Sequence, residues 1–214
     1  MNIQLRMLAV ALGSVAAGCS TYSVPRYAVS VDNVTELRKL RGHPISVGDF
    51  TTKTGDDSSI GCRIVGPIKT QDGEPYAQYI RKALLAELRM AEVYAERAPV
   101  TLSGSLDHLD FSSIAGAWQI GVTVSSSNGK SLHVEESYDF SSSLNGDTAC
   151  AQTAQAFMPG VQDLIAKLVR DPSFKALVGA SEAPTAAPNA APTAAPPPGA
   201  PTSDVAAPGA ARSP

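Results

Sequence analysis

The clearest hydrophobic pattern of the chain lies in residues 75–96, where apolar side chains recur at the spacing of an α-helix. Four of them form one stripe: Ala77, Ile80, Leu84 and Leu88. Leu85 widens the stripe, whereas the charged residues, Glu87 among them, lie outside it. Pro75 suits the first turn of a helix, and Pro99 bars its continuation. The pattern therefore predicts an amphipathic helix that packs one face against a core.

A second stretch of helical spacing covers residues 147–170. Its apolar positions are Ala154, Phe157, Val161, Leu164, Ile165 and Leu168. Pro159 lies inside the stretch, and we expect a kink or a break there because proline removes a backbone hydrogen bond. Asp171 and Pro172 end the helix, and residues 173–178 are long enough for one further turn.

Two shorter elements and a loop are expected before the first long helix. Asp32 or Asn33 can cap a short helix that stops at Gly42. Its apolar side comprises Val34, Leu37 and Leu40. Apolar residues alternate with small or polar ones in residues 44–50, which predicts the first strand. Residues 51–74 are rich in Gly, Asp and Thr and are expected to form a long polar loop.

Residues 100–140 show the alternation of half-buried strands, and turn signals divide them into three strands. A two-residue Asn-Gly turn between the last two would place Trp118 opposite a polar residue. A three-residue loop with a left-handed Gly129 keeps the apolar faces together, and we therefore predict that loop. The opposed pairs are then Trp118 with Tyr138, Val122 with Val134, and Val124 with Leu132.

The hairpin before it has a register problem of its own. Phe111 opposite Trp118 joins two aromatic residues, but it leaves the apolar residues of the first half of the strand out of phase by one. An extra residue in one strand restores the phase, so we predict a β-bulge near Asp107 and His108.

These elements follow one another in the order strand, helix, three strands and helix within residues 32–179. The simplest packing is an α+β fold, with a mostly antiparallel four-stranded sheet and the two long helices on one face. Because a helix follows the first strand, that strand can pair in parallel with a later one through a right-handed crossover.

Residues 1–18 have the features of a bacterial signal peptide. Arg6 supplies a positive start, and the apolar run that follows is too short to span a bilayer. The sequence of residues 15–19, VAAGC, resembles a lipobox, the signal at which cleavage precedes a cysteine that becomes acylated. An ordinary secretory signal cut near Ala17 is the alternative. We predict lipidation of Cys19.

The residues after the predicted cleavage point suggest a location. Ser20 follows Cys19, which resembles the pattern that sorts Gram-negative lipoproteins to the outer membrane. Residues 19–31 would then be a lipidated tether, and the domain would lie on the periplasmic face of that membrane.

The chain contains three cysteines. If Cys19 is acylated, Cys62 and Cys150 remain, and we expect them to pair because the space outside the inner membrane is oxidising. A metal site is the alternative, but the two cysteines have no further Cys or His at ligand spacing. We expect no metal and no cofactor.

Charge and composition limit the possible partners. The chain has 17 basic and 20 acidic residues, and it shows no basic stripe, which argues against nucleic acid. Residues 180–214 differ from the rest: the last 34 residues hold 12 Ala and 9 Pro. Such a segment has too few large apolar residues to bury a core, so we predict a disordered tail.

The strongest candidates for catalysis are Asp107, His108 and Asp110. A His-Asp pair with a nearby serine would suit hydrolysis, but no nucleophile-elbow motif accompanies them, and an exposed bulge explains the same residues. Strand phase puts Glu136 on the apolar face opposite Ile120. It is expected either as a buried carboxylate or, as is commoner, at a sheet edge or a bulge.

The lipobox, the strand ISVGDF, the helix YIRKALLAEL, the strands through WQIGVTVSSSNG and SYDF, and the final helix can be taken together. Their order resembles small periplasmic lipoproteins of the YajG type. It is similar, more loosely, to outer-membrane accessory lipoproteins with a TolB-N-terminal-like or CsgG-like α+β fold. The resemblance covers residues 45–178. It implies non-enzymatic work in scaffolding, assembly or partner binding and assigns no site residues.

We therefore expect a non-catalytic, lipid-anchored binding or scaffold protein of the cell envelope. Its partners would be the membrane, through Cys19, and an envelope protein or peptidoglycan. One alternative is an envelope hydrolase that uses Asp107, His108 and Asp110. The other is a structural spacer whose Pro/Ala tail reaches a partner in extended form.

Overall fold

Two β-sheets and four α-helices make up the part of the chain that the computed structural model describes, residues 20–53 and 58–180. In chain order the strands are β1 (Tyr22–Val24), β2 (Ile45–Thr52), β3 (Ile60–Cys62), β4 (Gly66–Thr70), β5 (Val100–Ser112), β6 (Ala117–Ser126) and β7 (Ser131–Asp139). The helices are α1 (Val31–Leu37), α2 (Tyr76–Met90), α3 (Gly146–Arg170) and α4 (Pro172–Leu177). The predicted α+β class is confirmed. The predicted signal peptide, Cys19 and residues 181–214 of the predicted tail lie outside the described residues.

The larger sheet has the strand order β2–β5–β6–β7. β2 and β5 are parallel, whereas β5–β6 and β6–β7 are antiparallel. The predicted four-stranded, mostly antiparallel sheet is matched in part. β2 pairs in parallel with β5 as expected, but a second sheet of three strands accompanies the first, and two of its strands lie between β2 and α2. Side chains of α2 and α3 meet above the larger sheet, where Leu84 and Leu164 pack with Val122 and Val134.

The register of both hairpins confirms the predictions made from the faces of the strands. Trp118 pairs with Tyr138, and the loop to β7 has three residues, because the Ser126 amide donates to the Lys130 carbonyl at 2.8 Å. Gly129 has φ +85°, a left-handed conformation that favours glycine. The β5–β6 register shifts by one residue between Leu106 and His108. The β-bulge is therefore where the sequence predicts it.

A second sheet, with the strand order β1–β4–β3, corrects two predictions. Residues 19–31 were predicted to be a tether, but Tyr22–Val24 pairs in parallel with β4. Residues 51–74 were predicted to be a loop, but they contain β3 and β4, which pair in an antiparallel manner. These strands are three to five residues long, too short to show the alternation by which strands are predicted.

The helices match their predicted positions with three corrections. α2 ends at Met90 instead of residue 96, and Glu92 then adopts a left-handed φ of +63°. α3 continues through Pro159, so of the kink or break expected there the break is wrong, and the kink stays a prediction. The N-cap of α1 is Ser30, whose hydroxyl accepts from the backbone of Asn33, and not Asp32 or Asn33. The further turn expected after residue 172 is confirmed by α4.

The core is built around Trp118, which is completely buried on β6, an inner strand of the larger sheet. Its ring packs against Phe157 of α3 and Phe111 of β5, with centroids 4.9 and 4.8 Å away. The indole nitrogen donates to the Thr153 carbonyl at 2.8 Å, which satisfies its one polar atom. The sheet and α3 are thereby held in a fixed orientation.

Candidate functional site

The candidate catalytic residues are not brought together. His108 is exposed on the bulge and makes no hydrogen bond or ion pair within the described residues. The Asp110 carboxylate accepts from the neighbouring Phe111 amide at 2.8 Å. Among the described residues, no serine hydroxyl hydrogen-bonds to the side chain of His108 or Asp110. That part of the structure therefore does not place a serine nucleophile beside His108.

Asp107 instead belongs to a polar cluster on the face of the large sheet away from α2 and α3. Its carboxylate accepts from the Thr123 hydroxyl and lies 2.7 Å from the Lys53 ammonium and 3.1 Å from His133 Nδ1. Burial acts to raise the pKa of Asp107, but Lys53, Thr123 and Ser105 together outweigh it, so the pKa is lowered. These contacts fix the bulge. The sequence could predict the bulge but not the contacts of Asp107, because the contacting residues are remote from it in the chain.

Glu136 is buried on β7, opposite Ile120, with only 5% of its surface exposed. β7 is also an edge strand of its sheet, so both expectations for this residue are met. The Glu136 carboxylate lies 3.0 Å from the Lys167 ammonium, which also donates to the backbone carbonyl of Glu135 at 3.1 Å. A charge that points inward and a covered carbonyl are two devices that keep an edge strand from pairing with another chain.

Glu87 was predicted to lie off the apolar stripe of α2, but it is completely buried. One carboxylate oxygen accepts from the Tyr27 hydroxyl at 2.6 Å and from the Ser30 amide at 2.7 Å. The other has no hydrogen-bond partner within the described residues, and neither does the side-chain oxygen of nearby Asn33. Burial therefore raises the pKa of Glu87, against the lowering effect of its donors.

The contacts of Glu87 are part of a longer attachment of residues 25–30 to α2 and α3. The Tyr79 hydroxyl donates to the Pro25 carbonyl at 2.9 Å, and the Gln162 amide donates to the Ala28 carbonyl at 2.7 Å. This segment was predicted to be part of a tether. The structure makes it a strap that is bonded to the domain along its length.

The disulfide predicted from cysteine count is present. The sulfur atoms of Cys62 and Cys150 are 2.05 Å apart, and the bond joins the end of β3 to the first turns of α3. The predicted pairing is thus confirmed, and the bond holds the strand pair β3–β4 against the rest of the domain.

Arg63, next to Cys62, joins three loops at one end of the domain. Its guanidinium donates to the hydroxyl and carbonyl of Ser113 at 3.1 and 3.0 Å. It also donates to the carbonyls of Ser143 and Leu144 at 3.2 and 3.1 Å. We call this region the loop end and define it as residues 63–65, 113–116 and 141–145.

A groove of about 220 Å³ lies between residues 71–74 and α2. Its four charged side chains are paired with each other, because Arg26 lies 2.8 Å from Asp72 and Lys82 contacts Glu74. An incoming charged ligand would have to displace one of these pairs. The groove therefore has no feature that identifies a ligand.

Comparisons with known proteins leave the function to be inferred from the chain itself. No model of a known protein family matches the sequence, and no curated protein matches it. Within residues 20–53 and 58–180, His, Cys, Asp and Glu side chains nowhere gather in a group of three or more that could hold a metal ion. In the same part of the chain, no helix combines the length and the apolar character needed to cross a membrane.

Proposed function

We propose that the protein is a non-catalytic, lipid-anchored binding or scaffold protein on the periplasmic face of the outer membrane. The observation that carries the proposal is the Cys62–Cys150 disulfide. With two of three cysteines paired, Cys19 is the one left over, at the position where the lipobox-like sequence needs it. Structural disulfides are typical of compartments outside the cytoplasm, which agrees with export.

The start of the domain supports an anchor that holds it close to the membrane. Only Ser20 and Thr21 separate Cys19 from β1, and three residues of extended chain span at most about 10 Å. β1 is hydrogen-bonded to β4, and residues 25–30 are bonded to α2 and α3. An acylated Cys19 would therefore hold the folded domain against the bilayer, because no long flexible linker separates the two.

A binding role is favoured over catalysis by what the polar groups do. Glu87, Asp107 and Glu136 are three buried or half-buried acids, and each is engaged in holding the strap, the bulge or the sheet edge. The similarity to YajG-type lipoproteins, with both long helices on one face of the sheet, implies the same class of role. An envelope protein or peptidoglycan would be the partner.

The proposal is tested by mass spectrometry of the mature chain and by cell fractionation. We expect the first residue of the mature protein to be Cys19 carrying acyl chains, and the protein to sediment with outer membranes. The variant Cys19→Ser should be released to the soluble fraction. A mature chain that begins elsewhere, or equal solubility of the two proteins, would refute the anchor.

Crosslinking in intact cells is a separate experiment that would identify the partner.

A further inference from the structure

The loop end carries three large aliphatic side chains that the fold leaves in solvent. Ile64 and Leu144 are fully exposed, and Ile114 is 82% exposed. Each lies in a different loop: between β3 and β4, between β5 and β6, and between β7 and α3. Exposed apolar residues that occur singly need no explanation, but three that share one end of a domain indicate a surface with a partner.

These three side chains are held in place by the bonds of the loop end. Arg63 bonds the loop of Ile114 to the loop of Leu144, and the adjacent disulfide fixes the loop of Ile64 to α3. The Ser142 hydroxyl donates to the Ser113 carbonyl and ties the same two loops again. A partner would meet a prearranged surface, so little conformational entropy would be lost on contact.

The loop end is also the place where the described chain begins. A Cβ atom on Gly66 would lie 1.9 Å from the Ser20 carbonyl oxygen, so the first described residue lies against the start of β4. The Tyr22 hydroxyl donates to the Asp147 carboxylate at 2.7 Å, which ties β1 to the start of α3 just after Leu144. Cys19 directly precedes Ser20, so the proposed anchor would follow on from a residue that lies at the loop end.

We propose that Ile64, Ile114 and Leu144 insert into the surface of the lipid bilayer to which Cys19 is anchored. The inference rests on the proposed function and adds an orientation: the domain would stand on its loop end, with the far ends of the sheet directed into the periplasm. A lipid surface is favoured over a second copy or another protein because the chain enters the domain at this end. A bilayer at the anchor would be within reach of all three loops.

The chain offers a matched control at the opposite end of the large sheet. Met90 is 52% exposed and ends α2, shortly before Tyr94 forms a bridge with Ile45, which also pairs with Val100. β5 runs from Val100 to Ser112, next to the loop end, and a strand of that length spans about 40 Å. A probe at residue 90 should therefore remain in water.

The test uses tryptophan fluorescence of the full, lipidated chain in vesicles that contain phospholipids with brominated acyl chains. The variants are Ile64→Trp, Leu144→Trp and the control Met90→Trp. The one natural tryptophan, Trp118, is completely buried and gives the same background in all of them. We expect Trp at 64 and at 144 to be quenched roughly twofold or more beyond the control, with emission shifted to the blue.

The outcomes separate this inference from the proposed function. The acyl mass on Cys19 is measured on the same samples and reports on the anchor alone. If the chain is acylated but Trp at 64 and 144 is quenched no more than Trp at 90, the anchor stands and the inserted surface is refuted. Crosslinks between loop ends of two copies in the same vesicles would also refute it, in favour of a dimer. A chain without acyl groups would overturn both proposals.

Discussion

Glu87 is the residue whose surroundings differ most from its sequence context. In the sequence it belongs to the charged side of α2. That side faces solvent when an amphipathic helix packs on a core by its apolar face alone. The strap of residues 25–30 covers this side, so the carboxylate becomes interior and caps the strap through Tyr27 and Ser30. Helical spacing cannot show a second layer of chain on the polar side, which is why the site was missed.

Replacement of Glu87 should affect stability in two separable ways. Glu87→Ala leaves the Tyr27 hydroxyl and the Ser30 amide without an acceptor, and we expect it to lower the free energy of unfolding by about 2–4 kcal/mol. Glu87→Gln keeps an acceptor oxygen for both donors and removes a carboxylate whose charged form burial disfavours. Urea denaturation at pH 7 should therefore show Glu87→Gln to be at least as stable as the natural chain.

The pH dependence of that comparison has a definite sign. The pKa of Glu87 is raised in the folded protein, so above its ordinary value of 4.5 the folded state binds more protons than the unfolded state. The free energy of unfolding therefore falls as pH rises from 4.5 through the raised pKa, and Glu87→Gln lacks this fall. Exposed Glu96→Gln is the control. Parallel pH profiles for all three proteins would contradict the assignment.

At the scale of elements, a strand could be predicted only where its alternation of apolar and polar residues was long enough to recognise. The register of β5, β6 and β7 follows from nine or more residues of alternation in each strand, and even the bulge follows from their phase. The second sheet has no such signal, because β1 and β3 have three residues each and β1 pairs with β4 across more than forty residues. These strands form because of pairing between distant parts of the chain and not because of the local preference of their own residues.

The bulge in β5 gives a prediction about Thr123. Its hydroxyl donates to Asp107, and Thr123→Val removes that donor while keeping the shape of the side chain. We expect a loss of about 1 kcal/mol in the free energy of unfolding and a rise in the pKa of Asp107, measured by NMR titration. Thr123→Ser retains the hydroxyl and should leave that pKa unchanged. An unchanged pKa in the valine variant would show that Lys53 and Ser105 lower it without Thr123.

The disulfide ties the small sheet to α3, and its removal should be costly. Cys62 and Cys150 are 88 positions apart, and closing a loop of that length stabilises a protein by about 4–5 kcal/mol in the chain-entropy model. We expect Cys62→Ser/Cys150→Ser to lower the free energy of urea unfolding by up to that amount. Cys19→Ser is the matched control and should unfold like the natural chain. Equal stability of the two variants would mean that the bond contributes nothing.

For the whole molecule, cysteine count predicted the disulfide without any knowledge of the fold, because one pair remains when Cys19, in its lipobox-like sequence, is set aside from three cysteines. The loop end could not be predicted in the same way. Ile64, Ile114 and Leu144 are single apolar residues in polar loops, and only the folded arrangement through Arg63 places them at one end. Residues with a shared surface but no shared sequence pattern are found only in three dimensions.

The separation of the two paired cysteines would also set the order of events if the chain is exported as we propose. Cys19 and Cys62 would then reach the oxidising compartment well before Cys150, so for that interval each would be the other's available thiol. Transfer of a diacylglyceryl group to Cys19 would convert its sulfur to a thioether, which cannot take part in exchange. A lipobox substitution such as Gly18→Glu, which keeps the thiol but prevents acylation, should therefore accumulate a Cys19–Cys62 bond on non-reducing peptide maps. Cys19→Ser should not, and the lipid would serve as a protecting group for correct oxidation.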